Sequence, residues 1–428
     1  MKHLIVQGAA CLLMAGTAAS ATIATATPEA EGFSKQRLEE LDHSMKALVD
    51  SKQLAGMVTV LARHGKIVDE KSYGYADLAS QKVMQQDTIV RIYSMTKPIT
   101  GVAMMMLYEE GKWKPSDPIA KYIPEFKDLK VYGGADKDGN AILEKPAHAP
   151  TMGELMSHTA GFTYGFFGST AVDKMYQDAQ LLAAPSLKDF IDKLAKLPLL
   201  YQPGEGWVYS VSVDIQGYLV EKLSGRPFAD FLRERIFLPL QMKDTGFYVP
   251  AEKLSRVATI YQGDPTKGLA PMPGDPKISE PPGLTSGGGG LYSTAGDYLR
   301  FAQMVLNGGE LGGARLLAPS SIELMRTNHI AEGVKNARKF GIGLYQMQPG
   351  LGFGYDFAIL EDPTRLGSTA GKGTFLWDGV AGTWFWIDPT NEVVFVGIIQ
   401  RWLMSGGVPD VENLSRALTY QALVNPGK

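Results

Sequence analysis

Arg91-Ile92-Tyr93-Ser94-Met95-Thr96-Lys97-Pro98 is the stretch on which the reading of this chain turns. A serine and a lysine three residues apart share one side of a helical turn, because positions i and i+3 are neighbours on a helix surface. Beyond Pro98, apolar residues at Ile99, Val102, Ala103, Met106 and Leu107 recur with the helical period. Gly111 stands where that pattern stops and suits a helix C-cap. The spacing therefore predicts a helix opened by Ser94 and buried along its far face. The helix dipole favours negative charge at that end, which assists a serine hydroxyl. A serine still needs an adjacent base, and Lys97 is placed to be that base or to hold another base's proton. Taken bare, the Ser-x-x-Lys spacing also fits a helix cap followed by a solvated lysine, so its chemistry depends on context.

Upstream, Ser34 is a credible N-cap for an amphipathic helix with Leu38, Leu41, Met45, Leu48 and Val49 on one face. Two strands are expected next, Met57 to Ala62 and Lys66 to Tyr73, joined by a tight turn at His64-Gly65. From about Lys114 to Thr285 proline and glycine become frequent and strand patterns fade. Pro227 with Phe228, Phe231 and Leu232 marks one short helix there. Gly263 to Pro282 carries six prolines and reads as a loop. Strand character returns at Thr383 to Ile387 and Val393 to Gln400, a hairpin joined by Asp388 to Glu392. A helix over Val411 to Val424 closes the chain. The fold expected is α/β: an antiparallel sheet flanked by helices, built from residues 22–113 and 286–428. A mostly helical domain, residues 114–285, is inserted between those halves, and the cleft between the two is the default place for a site.

The 428 residues are 45% hydrophobic and 20% charged, ample material for a large core. Residues 1–21 read as a secretory signal: Lys2, an apolar run from Leu4 to Met14, and an Ala19-Ser20-Ala21 cleavage site. The run is too short to span a bilayer, so export and release without membrane insertion are expected. The single cysteine, Cys11, lies in that leader, leaving a chain without thiol chemistry. A formal charge of -3 with no basic block argues against a nucleic-acid partner. The six histidines show no metal-binding spacing, and Ser286-Gly287-Gly288-Gly289-Gly290 lacks a P-loop lysine. No metal or cofactor is expected. That glycine run suits close packing beside the cleft, and Thr294 with Asp297 suits a helix start. His158 reads as structural, and no Gly-x-Ser-x-Gly elbow is present.

Several motifs in order supply the missing context. Ile92 to Pro98 is followed by Met156-Ser157-His158-Thr159-Ala160-Gly161 and Trp207-Val208-Tyr209-Ser210. Then come Ser286 to Ser293, Trp377-Asp378-Gly379 and Gly382-Thr383-Trp384-Phe385. Over nearly all of its length after the leader, the chain resembles the serine β-lactamase and penicillin-binding-protein superfamily. The likeness is greatest to the class C β-lactamase-like esterases, the family VIII carboxylesterases. That resemblance implies Ser94 as acylated nucleophile, with Lys97 and Tyr209 sharing the proton work; which of the pair is the base stays open. It implies an oxyanion hole from the backbone N–H groups of Ser94 and Val380, and substrate contacts at Trp377, Asp378 and Gly379. Phe162, Tyr164, Phe166, Phe167 and Trp384 either line an apolar pocket or form plain core. Two departures narrow the substrate. Val211 replaces the asparagine of the lactamase Tyr-x-Asn, and Trp377 replaces the lysine of Lys-Thr-Gly. A lysine there would pair with a substrate carboxylate; tryptophan does not. The expected partner is therefore a small neutral ester of short acyl chain. A β-lactamase, a D-amino-acid peptidase, an acyltransferase and a non-catalytic ligand sensor are the alternatives.

Overall fold

The computed structural model describes residues 23–264, 266, 268–336 and 348–425; the expected leader lies outside them. A nine-stranded sheet forms the body. Its spatial order is Ala24–Thr25, Lys66–Asp77, Gly56–Arg63, Val393–Ile398, Thr383–Asp388, Phe375–Gly379, Ala358–Leu360 and Leu351–Phe353, with Lys82–Val83 pairing Lys66–Asp77. Strands from both ends of the chain thus meet at the centre, where Gly56–Arg63 pairs Val393–Ile398. Pairing is antiparallel except at one edge, where Ala24–Thr25 runs parallel to Lys66–Asp77. A wholly antiparallel sheet was expected. The helix Lys35–Asp50 lies between those two strands in sequence and supplies the crossover that a parallel pair requires.

Local chemistry explains the register. His64 and Gly65 both have positive φ, +49° and +74°, as a two-residue primed hairpin turn demands. Pairing then steps from Leu61 opposite Asp69 to Ala62 opposite Ile67, leaving Val68 as a bulge. Side chains alternate between faces along each central strand. Met57, Leu61, Trp384, Trp386, Val393 and Phe395 join one core with Leu38, Leu41 and Met45 of the Lys35–Asp50 helix. Val58, Val60, Phe385, Ile387, Val394 and Val396 join the other, which holds Ala295–Leu306 and the Ser94 helix. Both flanking helices begin as expected. The Ser34 side chain accepts from Arg37 N–H, and Thr294 Oγ1 accepts from Asp297 N–H. The Asp297 carboxylate itself accepts from Asp244 N–H and the Thr245 hydroxyl.

Between residues 114 and 285 short helices dominate, among them Met152–Met156, Ala171–Ala179, Leu187–Leu194 and Ser212–Ser224. Strands persist there too, against expectation. Val131–Ala135 pairs Ala141–Glu144, and Tyr261–Asp264 pairs Gly268–Pro271 inside the proline-rich stretch. The prolines left room for the second hairpin because the one within its strands, Pro271, falls at a strand end. No helix among the described residues is long and apolar enough to cross a membrane.

The helix Thr96–Glu109 runs through the larger core, buried from Thr96 to Leu107, and packs on Ser212–Ser224. A single 3-10 turn, Tyr93–Met95, precedes it, with Tyr93 at φ +44°. Ser94 therefore stands in this tight turn rather than in the first α-helical position. Gly111, at φ +70°, ends the helix as its sequence suggests.

On the opposite face of the sheet Trp386 and Phe395 are cross-strand partners. Their rings stack at 4.2 Å and 2° between planes, and both are fully buried. Trp386→Ala should lower the unfolding free energy by about 3–5 kcal/mol, measured by urea denaturation. A loss below about 1 kcal/mol would show that this face does not hold the sheet together.

Candidate active site

Two side chains, one from a distant segment and one from the Ser94 helix itself, meet at the Ser94 hydroxyl. The Tyr209 phenol, from the loop before Ser212–Ser224, donates to Ser94 Oγ at 2.6 Å. Lys97 Nζ, on the first turn of the Ser94 helix, donates to the same oxygen at 3.3 Å. The lysine also donates to the Gly288 carbonyl at 2.7 Å and to Tyr164 Oη at 3.1 Å. Its ammonium lies 4.4 Å from the centre of the Tyr209 ring. Ser94, Lys97 and Tyr209 thus occur together, as the sequence led one to expect.

The glycine run makes this approach possible. A Cβ on Gly287 would stand 2.4 Å from the Val213 carbonyl oxygen, and one on Gly288 would stand 2.7 Å from both Asp214 Oδ2 and Tyr164 Oη. Asp214 fastens the run. Its Oδ1 accepts from the Ser286 hydroxyl at 2.5 Å and from Gly288 N–H at 3.1 Å. The carboxylate therefore holds, through its N–H, the residue whose carbonyl accepts from Lys97.

Burial sets the electrostatics. Lys97 is 1% exposed, and desolvation lowers its pKa to about 8, opposed by the charges of Asp214, Asp356 and Asp378. Burial pushes the Tyr209 phenol well above its usual value, while its hydrogen bonds with Ser94 and Trp377 pull the other way. The phenol consequently keeps its proton near neutral pH, whereas the amine readily loses one. His158 is fully buried, and its ring nitrogen Nδ1 bonds Ser210 Oγ at 3.0 Å. Desolvation holds it neutral, and its ring packs 5.3 Å from that of Tyr209. It supports the tyrosine loop, in keeping with a structural role.

The remaining expected site residues divide. Val380 lines the Ser94 cavity, and its N–H has no partner among the described residues. Gly379 abuts the Ser94 turn, since a Cβ there would lie 2.3 Å from the Ile92 carbonyl oxygen. Trp377 stacks obliquely on Tyr209 at 5.2 Å between ring centres. Asp378 points its field at both Lys97 and Tyr209. Tyr164, Phe166 and Phe167 line the cavity. Phe162 does not; it is 1% exposed and packs on Phe126 in the core. Trp384 also lies elsewhere, on the opposite face of the sheet, with its indole N–H donating to Ser415 Oγ. Strand alternation sends Phe385, not Trp384, toward the Ser94 side.

Sequence reasoning missed the Tyr164–Lys97 bond, the Asp214 clamp and Asp356. The last is a fully buried carboxyl at φ +63° that accepts from Gln216 Nε2 at 3.2 Å; burial raises its pKa above the usual carboxyl value, and the Lys97 charge pulls it back down. Nothing in the spacing of these residues marks them as neighbours. No group of three or more His, Cys, Asp or Glu side chains among the described residues could hold a metal ion.

A serine flanked by a desolvated lysine and a hydrogen-bonded tyrosine, beside a mixed α/β sheet, defines a serine hydrolase of the fold shared by β-lactamases and penicillin-binding proteins. The chain belongs to the beta-lactamase family, whose model matches residues 41–414. It is 36% identical over 363 residues to protein Rv1367c of Mycobacterium tuberculosis, covering 84% of this chain and 88% of that one. It is 30% identical over 371 residues to Esterase EstB of Burkholderia gladioli, covering 81% and 86% respectively. A solved structure, EstCE1, described as a hydrolase with promiscuous acyltransferase activity, matches with a TM-score of 0.75 at 24% identity, over 92% of this chain and 100% of that one. These similarities put the chain among the family VIII-like esterases.

The electrostatics carry a prediction. Asp214→Asn keeps the hydrogen-bond acceptor but removes the charge that most raises the Lys97 pKa. The acid limb of the kcat/KM–pH profile should move to lower pH by about one unit. A limb that stays in place would show that Asp214 carries no charge felt by the lysine.

Proposed function

We propose that this protein hydrolyses neutral carboxylic esters through an acyl-enzyme on Ser94, with Lys97 as base and Tyr209 as proton donor to the leaving group. The observation that carries the reading is the 2.6 Å hydrogen bond from the Tyr209 phenol to Ser94 Oγ, with Lys97 on the same oxygen. With a pKa of about 8, the neutral amine makes up about a tenth of Lys97 at pH 7 and about half at pH 8. That amine takes the Ser94 proton as Oγ bonds to the ester carbonyl carbon. The oxyanion is received by the N–H groups of Ser94 and Val380. As the carbon–oxygen bond to the alcohol breaks, the leaving oxygen takes the Tyr209 proton, and the proton held by Lys97 restores the phenol. Water then repeats the sequence in reverse and frees Ser94.

The residues packed around the catalytic groups favour a neutral substrate. Trp377 offers an indole where a lysine would bind a carboxylate, and Asp378 adds negative field. Val211, fully buried ahead of its helix, has no amide to receive a substrate amide. Residues 1–21 are proposed to direct export of the enzyme.

Ser94→Ala should abolish hydrolysis of a small activated ester and labelling by a fluorophosphonate. Wild-type protein should turn over that ester at least about a hundredfold faster in kcat/KM than nitrocefin or a D-Ala-D-Ala peptide. Comparable rates on the anionic substrates would favour the lactamase or peptidase reading. Unlabelled Ser94 in active-looking, folded protein would favour a ligand sensor.

A further inference from the structure

The cavity above Ser94 has a volume of about 580 Å³, within the ~300–1,000 Å³ range of sites that enclose drug-sized ligands. A short-acyl ester of a small alcohol leaves most of it empty. Its mouth is also unusual. Phe166, Leu182 and Met404 all line the cavity, yet they are 55%, 47% and 57% exposed. Large apolar side chains scattered singly need no explanation, but three around one opening form a patch of the kind that marks binding. Phe166 is held rigidly there, stacked at 5.0 Å on Tyr164 and edge-on at 4.7 Å to Phe167. Rigid aromatic walls offer large contact area at little entropic cost.

We propose that the substrate is an ester of a bulky apolar alcohol, whose hydrocarbon fills this cavity and reaches the Phe166, Leu182 and Met404 rim. This rests on the ester-hydrolase reading above and assigns the size of the leaving group. Side follows from chemistry. The group that protonates the departing oxygen must sit within hydrogen-bond reach of it, so the alcohol lies on the Tyr209 side of the carbonyl. The Tyr164 and Phe167 rings pack on Tyr209 at 5.4 and 6.0 Å, and they continue directly into the rim. The cavity is thereby assigned to the alcohol rather than to the acyl chain.

Two matched ester series test this with the full-length enzyme. One holds acetate constant and enlarges a primary alkyl alcohol, whose leaving-group pKa barely changes; the other holds methanol constant and enlarges the acyl chain. In the alcohol series kcat/KM should climb about fourfold per added methylene until the cavity is full. The acyl series should stay flat or fall. The ratio of kcat/KM for the bulkiest to the smallest alcohol should drop about tenfold in Phe166→Ser and in Met404→Ser, both surface changes that leave thermal unfolding in place. A flat alcohol series, or an unchanged ratio in both variants, overturns the proposal. A rise confined to concentrations above the critical micelle concentration overturns it too, because a lipid surface would then be the rim's occupant. Fluorophosphonate labelling and acetate-ester turnover by the wild type stand apart from these outcomes, so the loss of leaving-group preference is distinguishable from the loss of esterase chemistry.

Discussion

The site depends on one costly act, the removal of a lysine ammonium from water. A buried charge is tolerated only when its hydrogen bonds and counter-charges are supplied by the protein, or when it gives up its proton. Lys97 is held between these two outcomes. The Gly288 carbonyl, the Tyr164 and Ser94 hydroxyls and the charges of Asp214 and Asp356 favour the ammonium, while full burial favours the amine. The balance leaves a lysine that can accept a proton at neutral pH. A solvated lysine at the same spacing would stay charged and do nothing for the serine.

Much of the fold can be understood as holding that balance. Helices Thr96–Glu109 and Ser212–Ser224 pack together in the larger core, so Lys97 and Asp214 are fixed relative to one another by burial rather than by a surface ion pair. The strand Phe375–Gly379 presses its glycine end on the Ser94 turn and its tryptophan on Tyr209. One interior strand of the sheet thereby leads into the proposed oxyanion peptide and supplies the ring that packs on the phenol. In the function proposed, the same tryptophan also stands where a lysine would attract an anionic substrate, so one side chain would serve both orientation and specificity.

A good part of this was legible in the sequence. Caps at Ser34 and Thr294, the His64-Gly65 turn and the Gly111 stop are local, and local chemistry decides them. The order Ser94, Lys97, Tyr209 and Trp377 was legible because each motif brings a recognisable neighbourhood. Contacts made at long range were not. Tyr164 meets Lys97 across 67 residues, and Asp356 meets Gln216 across 140, with no periodicity to announce either. Trp384 was misplaced for a related reason. Thr383 to Ile387 is buried on both faces, so its hydrophobic pattern is continuous and does not say which residue faces which side. The parallel edge at Ala24–Thr25 is likewise set by a long-range pairing with Lys66 and Ile67, which two residues cannot encode.

The charge state of Lys97 can be observed directly. With 13C-labelled lysine and the Lys97→Arg protein to identify its signal, an NMR titration reads the side-chain amine in the folded enzyme without substrate. A midpoint near 8 is expected from burial beside Asp214. A midpoint at the ordinary lysine value of 10.5 would mean that the ammonium is not desolvated, and that the serine has another base.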